Sequence, residues 1–297
     1  MPKFKLSKPK PGRLGAWIFL GIMLFISLFP VFWMLRTALS PNANIFSSNL
    51  VLFPKGMSLN NFKRVLGFSS LEEAQAMGGS GASLNFLLYL WNSIKFTGVI
   101  VLGTVTTAVC AGYALARLNF RGKNALFYLL MTGLLVPSMF ATIPNFILII
   151  KLHLLNTFIG SIAPFVLGTP FAVFFMRQFF ISFPTEIEEA AEIDGLGVFA
   201  RLRRIVLPMS MPPIFTLALI TGVTAWNEFL WPFLVSNDEN KRVLTVGLRV
   251  FLAQAPSTAP DWAGLMAATT LTIIPVVIIL SLFGKKIIGS IQMTGFK

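Results

Sequence analysis

The chain has 297 residues, 55% of them hydrophobic and only 12% charged, with a mean hydropathy of +0.77. Soluble domains carry about 25% charged residues, so this composition argues against a free-standing soluble enzyme. The 24 Lys and Arg against 11 Asp and Glu give a net charge of +13, which in so apolar a chain points to loops near anionic lipid rather than to nucleic acid. A single cysteine, Cys110, excludes an internal disulfide framework, and a single histidine, His153, argues against a His-based metal site or a His-dependent triad.

A helix needs about 20 apolar residues to cross a bilayer. In chain order, uncharged runs of that length occupy Leu14 to Leu35, Phe96 to Ala116, Asn124 to Ile150, Leu152 to Met176, Ile205 to Asn227 and Trp262 to Gly284. The alternating short segments of a membrane barrel are absent. The fold class expected is therefore an all-α membrane protein with six transmembrane helices, spans falling near 14–36, 94–116, 124–150, 154–177, 206–235 and 262–284. The first run has a basic start, but its apolar stretch exceeds a signal-peptide core and no A-x-A-like site follows, so it reads as a retained helix. The transmembrane domain then covers 14–287, between an N-terminal tail, 1–13, and a C-terminal tail, 288–297.

Basic residues mark the cytoplasmic side. With both termini inside, 15 of the 24 fall on inner segments, among them Arg117, Arg121, Lys123, Arg177, Arg201, Arg203 and Arg204. The expected location is the cytoplasmic membrane, multi-pass, with both termini in the cytoplasm. Outer loops cover 39–88 and 236–261, and an inner loop covers 178–207. The spans are rich in proline (Pro30, Pro137, Pro144, Pro164, Pro170, Pro212, Pro213, Pro275). Each removes a backbone donor and can kink a helix. Membrane helices carry more proline than soluble ones in any case, so kinks for a moving pathway and ordinary membrane composition both remain open.

The inner loop carries the most information. Thr185 followed by Glu188 has the spacing of a capping box, placing a helix start near Pro184 or Thr185. Glu186, Glu188 and Glu189 suit the positive end of a helix dipole, Ala190 and Ala191 permit close approach by another surface, and Gly195 is a natural stop. A second short helix, 198–206, carries Arg201, Arg203 and Arg204 and is expected to end at Leu207-Pro208. Composition alone favours an amphipathic connector resting on lipid headgroups.

The pattern Glu189-Ala190-Ala191, then Asp194-Gly195, then Ile205-x-Leu207-Pro208 resembles the EAA coupling loop of ABC importer permeases, here spanning 182–208. Trp91-Asn92-Ser93, Arg117 to Gly122 and Ala225 to Pro232 are similar to the carbohydrate-uptake members of that family. The stretch from Leu66 to Ser93 looks like the maltose-type permease subunit, and Gly295-Phe-Lys297 is a looser version of that subunit's Gly-rich tail. The resemblance implies the type I importer permease fold and an ATPase-coupling role for Glu188, Glu189, Ala190, Ala191, Asp194, Gly195, Ile205, Leu207 and Pro208. It implies a sugar such as maltose or a maltooligosaccharide as cargo. Its implied partners are a second homologous permease subunit, two ATP-binding subunits that use ATP and magnesium, and an extracytoplasmic sugar-binding protein.

Nothing in the chain itself points to a cofactor, a metal or a catalytic centre. The Gly-Lys pairs Gly122-Lys123 and Gly284-Lys285 lack the remaining residues of a phosphate-cradling P-loop, so ATP-driven work has to enter through a partner. Trp226, Asn227 and Glu228 are candidates for the pathway or for the contact between permeases, since an acid near a span is functional by default. The alternative for Glu228 is an interfacial residue beside an aromatic belt of Trp226 and Trp231. Three other functions fit less well. Another carbohydrate or a glycerol phosphate would suit related permeases. An ion-coupled carrier calls for intramembrane ionisable residues and repeats, where only Glu228 and Lys95 come close. An intramembrane serine protease could be read from Gly78-Gly79-Ser80-Gly81, but Ser80 sits in a linker with no base at hand except His153.

Overall fold

The computed structural model describes residues 11–45, 52–53, 56–69, 72, 84–167, 169–254 and 260–293. Every regular element among them is helical. The chain divides into two compact units, 1–84 with 250–271 and 85–249 with 272–297. Ser80 and the tail 295–297 lie outside the described residues.

Among the described residues, three helices are long and apolar enough to cross a membrane alone: α1 (Pro11–Ala38), α3 (Phe86–Arg117) and α13 (Trp262–Met293). The other three apolar runs are bent pairs, so the total reaches six when each pair counts as one span. These pairs are α4 (Lys123–Thr132) with α5 (Ser138–Lys151), α6 (Phe158–Val166) with α7 (Pro170–Ser182), and α9 (Val198–Met209) with α10 (Met211–Trp226).

The bends have local causes. Pro137 precedes α5, and the residue before a proline is driven out of helical geometry. Val136 is accordingly extended, at φ −85°, ψ 114°, and the pair turns through 101°. Thr169, extended at ψ 152°, accepts from Ala172 N–H at 3.2 Å and caps α7, with Pro170 in its first turn. In α9, Pro208 has no N–H to offer. The turn before it widens to π geometry over Leu202–Val206, and Leu207 N–H reaches back to Leu202 O. The helix breaks at Ser210 and resumes at 79°. Leu207-Pro208 therefore does not end the second inner helix, contrary to expectation. The helix passes through Pro208 by way of that widened turn and continues to Met209.

In the larger unit α3 is the central element, packing on α7, α10 and α6. Two glycines permit it. A Cβ on Gly112 would lie 2.9 Å from Met176 Cβ, and one on Gly103 would lie 2.6 Å from Val166 Cγ1. Without a hydrophobic drive inside lipid, helices associate through such close packing of small residues. Ala108, Val109, Tyr113, Met176, Phe180 and Leu217 fill the seam. The smaller unit holds α1 and α2 (Asn60–Val65). Along α1, residues 14–31 are exposed, as suits a helix whose solvent is hydrocarbon.

Candidate coupling loop and cavity

The inner loop consists of α8 (Thr185–Ile193), a turn at Asp194–Gly195, and α9. Pro184 takes the N-cap position of α8 and makes no side-chain cap. The expected capping box is absent, because Thr185 already lies inside the helix and the Glu188 carboxylate turns elsewhere. Gly195 does terminate α8. Its φ is +80°, and Gly195 N–H and Leu196 N–H return to Glu192 O and Ala191 O at 2.9 and 3.0 Å. Nothing lies within 4 Å of a Cβ built there, so glycine is required by the left-handed backbone and not by crowding. Arg201 pairs with Glu192 and ties α9 to α8.

The loop has two faces. Glu188 and Ala191 are buried, with Leu202 and Val206 behind them. Glu189, Ala190, Asp194, Gly195 and Pro208 are exposed, and Ile205 and Leu207 are half-buried. Two large apolar side chains stand in the open: Ile193 is 88% and Phe199 74% exposed.

Glu188 is the hinge between the loop and the core. Its Oε2 accepts from Tyr113 Oη at 2.8 Å, and its Oε1 lies 3.1 Å from Arg117 Nε. Tyr113 and Arg117 are four residues apart on α3, hence on one face. Arg117 also donates through Nη2 to Phe183 O, just before the loop. The C-terminal carbonyls of α3 lack helical donors. Arg177 Nε reaches Leu115 O at 3.2 Å and Lys123 Nζ reaches Ala116 O at 3.0 Å, supplying cations where the helix dipole favours them. Sequence reasoning missed Tyr113 as a partner; its spacing from Arg117 was the available signal.

At the opposite end, α3 grips the segment 239–244, within the loop expected to face outward. Asn92 Nδ2 donates to Asn240 O and Arg242 O at 2.8 and 3.0 Å, Ser93 Oγ accepts from Leu244 N–H at 2.8 Å, and Tyr89 Oη donates to Glu239 Oε1 at 3.2 Å. Asn92 and Ser93 of the Trp91-Asn92-Ser93 motif therefore act as a clamp on that loop.

A cavity of about 190 Å³ opens between α3, α10 and the α6–α7 break. Thr104, Thr169, Thr221, Thr224 and Glu228 line it, with apolar neighbours such as Phe165. Glu228 is half-buried, and its Oε1 accepts from Trp231 N–H at 3.2 Å, which starts α11 (Leu230–Val235). Trp226 is half-buried and Asn227 exposed, and neither lines the cavity. Trp231 is buried and donates through Nε1 to Gly160 O at 3.1 Å. It is thus a core residue and not part of an interfacial belt, because burial of the indole is stabilised by a partner for its N–H.

Residues 103–290 match the family described as binding-protein-dependent transport system inner membrane component. The chain belongs to that family. This agrees with the resemblance carried by the inner-loop motif. Among similar transport components, the arabinooligosaccharides transport system permease AraQ of Halalkalibacterium halodurans is 28% identical over 98% of this chain and 99% of its own. The trehalose/maltose permease MalG of Thermococcus litoralis is 32% identical over 93% and 94%. The sn-glycerol-3-phosphate permease UgpE of Yersinia pestis is 31% identical over 92% and 95%. A solved structure of a bacterial ABC transporter involved in alginate import superposes with a TM-score of 0.77, at 23% identity over 96% of this chain and 99% of that one. The fold is that of an ABC importer's membrane chain, all-helical as expected.

Proposed function

We propose that this chain is one membrane subunit of an ABC importer for a neutral oligosaccharide of the maltose type, set in the cytoplasmic membrane with both termini inside. A second, homologous permease supplies the other half of the path. Two ATP-binding subunits grip the loop 182–208, and a sugar-loaded binding protein delivers cargo to the outer face. The chain itself binds neither ATP nor magnesium. The observation that carries the reading is the outward face of the inner loop. The loop leaves Ile193 and Phe199 exposed along with Glu189 and Ala190, apolar surface that a docked partner would cover.

The cargo reading rests on the cavity. It presents threonine hydroxyls and a carboxylate, and no Lys or Arg lines it. Hydroxyls suit a polyol, whereas a phosphate ester or an acidic polysaccharide would face Glu228 with no compensating cation. Uptake into membrane vesicles tests the whole proposal. Blocking ATP hydrolysis is expected to stop uptake, and collapsing the ion gradient is expected to leave it intact; the reverse result selects an ion-coupled carrier. Glu189→Lys inverts charge on the exposed face, and Gly195→Val forces a β-branched residue into a left-handed position at a cost of about 1–2 kcal/mol. Both variants are expected to insert normally and lose sugar uptake. Normal uptake in both overturns the coupling role.

A further inference from the structure

We propose that Glu188 is a positioning residue that transmits displacement of the inner loop to α3, through its paired contacts with Tyr113 and Arg117, while the loop's outward face makes the docking contacts. This deepens the function proposed above and rests on it.

The covalent routes out of the loop are compliant. On one side the chain enters α8 through Phe183 and Pro184, both extended, at ψ 137° and 126°. On the other side α8 and α9 are joined by Gly195-Leu196-Gly197, and α9 itself carries a π turn and a break at Ser210 before α10. The inward contact is stiffer. Two groups one turn apart on α3 meet one buried carboxylate: Tyr113 Oη donates a hydrogen bond to Oε2 at 2.8 Å, Arg117 Nε forms an ion pair with Oε1 at 3.1 Å without hydrogen-bond geometry, and Arg117 also binds the backbone at Phe183. Tyr113 is itself wedged edge-on against Phe180, ring centroids 5.7 Å apart.

What receives the motion is also suited to it. Among the helices long enough to span alone, α1 contains Pro30 and α13 contains Pro275, whereas α3 runs 32 residues without a proline. Proline is a leading cause of sharp kinks, and α3, lacking it, is one continuous helix from Phe86 to Arg117. Tyr113 lies nine residues from Thr104, about 14 Å along the axis at the helical rise. Thr104 and Ile100 line the cavity. A shift of Glu188 therefore reaches the cavity wall along one unbroken rod.

The test uses the full transporter, purified with its ATP-binding subunits and reconstituted in liposomes with its binding protein. Sugar delivered per ATP hydrolysed is measured for wild type, Glu188→Gln, Tyr113→Phe and Glu188→Asp. The expected result is that Gln and Phe variants retain their ATP-binding subunits and still hydrolyse ATP, while sugar per ATP falls at least about tenfold for Gln and less for Phe. Asp, which keeps the charge, recovers part of the ratio. A wild-type ratio in both the Gln and the Phe variant overturns the proposal. So does loss of assembled complex with an unchanged ratio in what remains, since that is a purely structural role. Should Gln fail to assemble, Tyr113→Phe decides, because it removes one hydrogen bond without stranding a charge. Failure of the underlying reading looks different: no ATP-binding subunit then copurifies with the wild-type chain.

Discussion

Among the described residues, the two buried carboxylates, Glu188 and Asp261, each face an arginine. The clearest case lies in the smaller unit, where Arg64 meets Asp261 through both carboxylate oxygens, at 2.6 and 2.9 Å, with side chains 7% and 0% exposed. Asp261 Oδ1 also accepts from Gly264 N–H at 2.9 Å and caps α13, and a Cβ on Gly264 would fall 2.1 Å from Arg64 Nη2, so a side chain there would displace the guanidinium from Asp261. Removing one partner of such a pair strands the other, at about 3–5 kcal/mol, whereas removing both charges with shape preserved is close to neutral. Arg64→Ala is thus expected to lower the thermal unfolding midpoint of the purified protein sharply. Arg64→Met with Asp261→Asn, which keeps the cap, should restore most of it. The two residues are 197 positions apart, and nothing in the local pattern of either one points to the other. Glu188 shows the same limit. Its spacing from Thr185 satisfies a capping box, but a buried guanidinium and a phenol outbid that local option, and Pro184 already occupies the cap position.

At the scale of helices, the six uncharged runs coincide with three single helices and three bent pairs that are apolar enough to cross a membrane, because apolar length is what a bilayer demands. Hydropathy did not locate the breaks. Pro30, Pro144, Pro164 and Pro275 all sit inside helices, while Pro137, Pro170 and Pro212 stand at helix starts. The difference is whether the surroundings satisfy the carbonyl that each proline leaves free, a tertiary property that single residues do not encode. The outer clamp on α3 was visible only as the motif Trp91-Asn92-Ser93. Its purpose follows from the two bonds that Asn92 makes to the backbone of residues 240 and 242. Two such bonds stabilise the closed loop by roughly 1–3 kcal/mol. Asn92→Ala is therefore expected to speed tryptic cleavage after Lys241 and Arg242 by about tenfold or more. An unchanged cleavage rate would show that the other contacts hold the loop alone.

For the molecule as a whole, the distribution of Lys and Arg between the loops predicts an orientation with both termini inside. Cysteines introduced at position 7 and at position 290, in a Cys110→Ala background, are expected to react with a membrane-impermeant maleimide only in inside-out vesicles. Cysteine at position 237, in the outer loop beside the clamp, should react only in right-side-out vesicles. Any other pattern reverses the topology, and with it the assignment of the inner loop to the cytosol. The first helix bears on the surrounding lipid as well. Its uncharged run, Leu14–Leu35, counts 22 residues and so measures about 33 Å, against a hydrocarbon slab of about 30 Å. The surplus has to be absorbed by leaning or by thickening the bilayer around it. Acyl-chain length thus becomes a control on this protein: longer-chain lipids relieve the mismatch and bring α1 upright, and shorter ones increase its tilt.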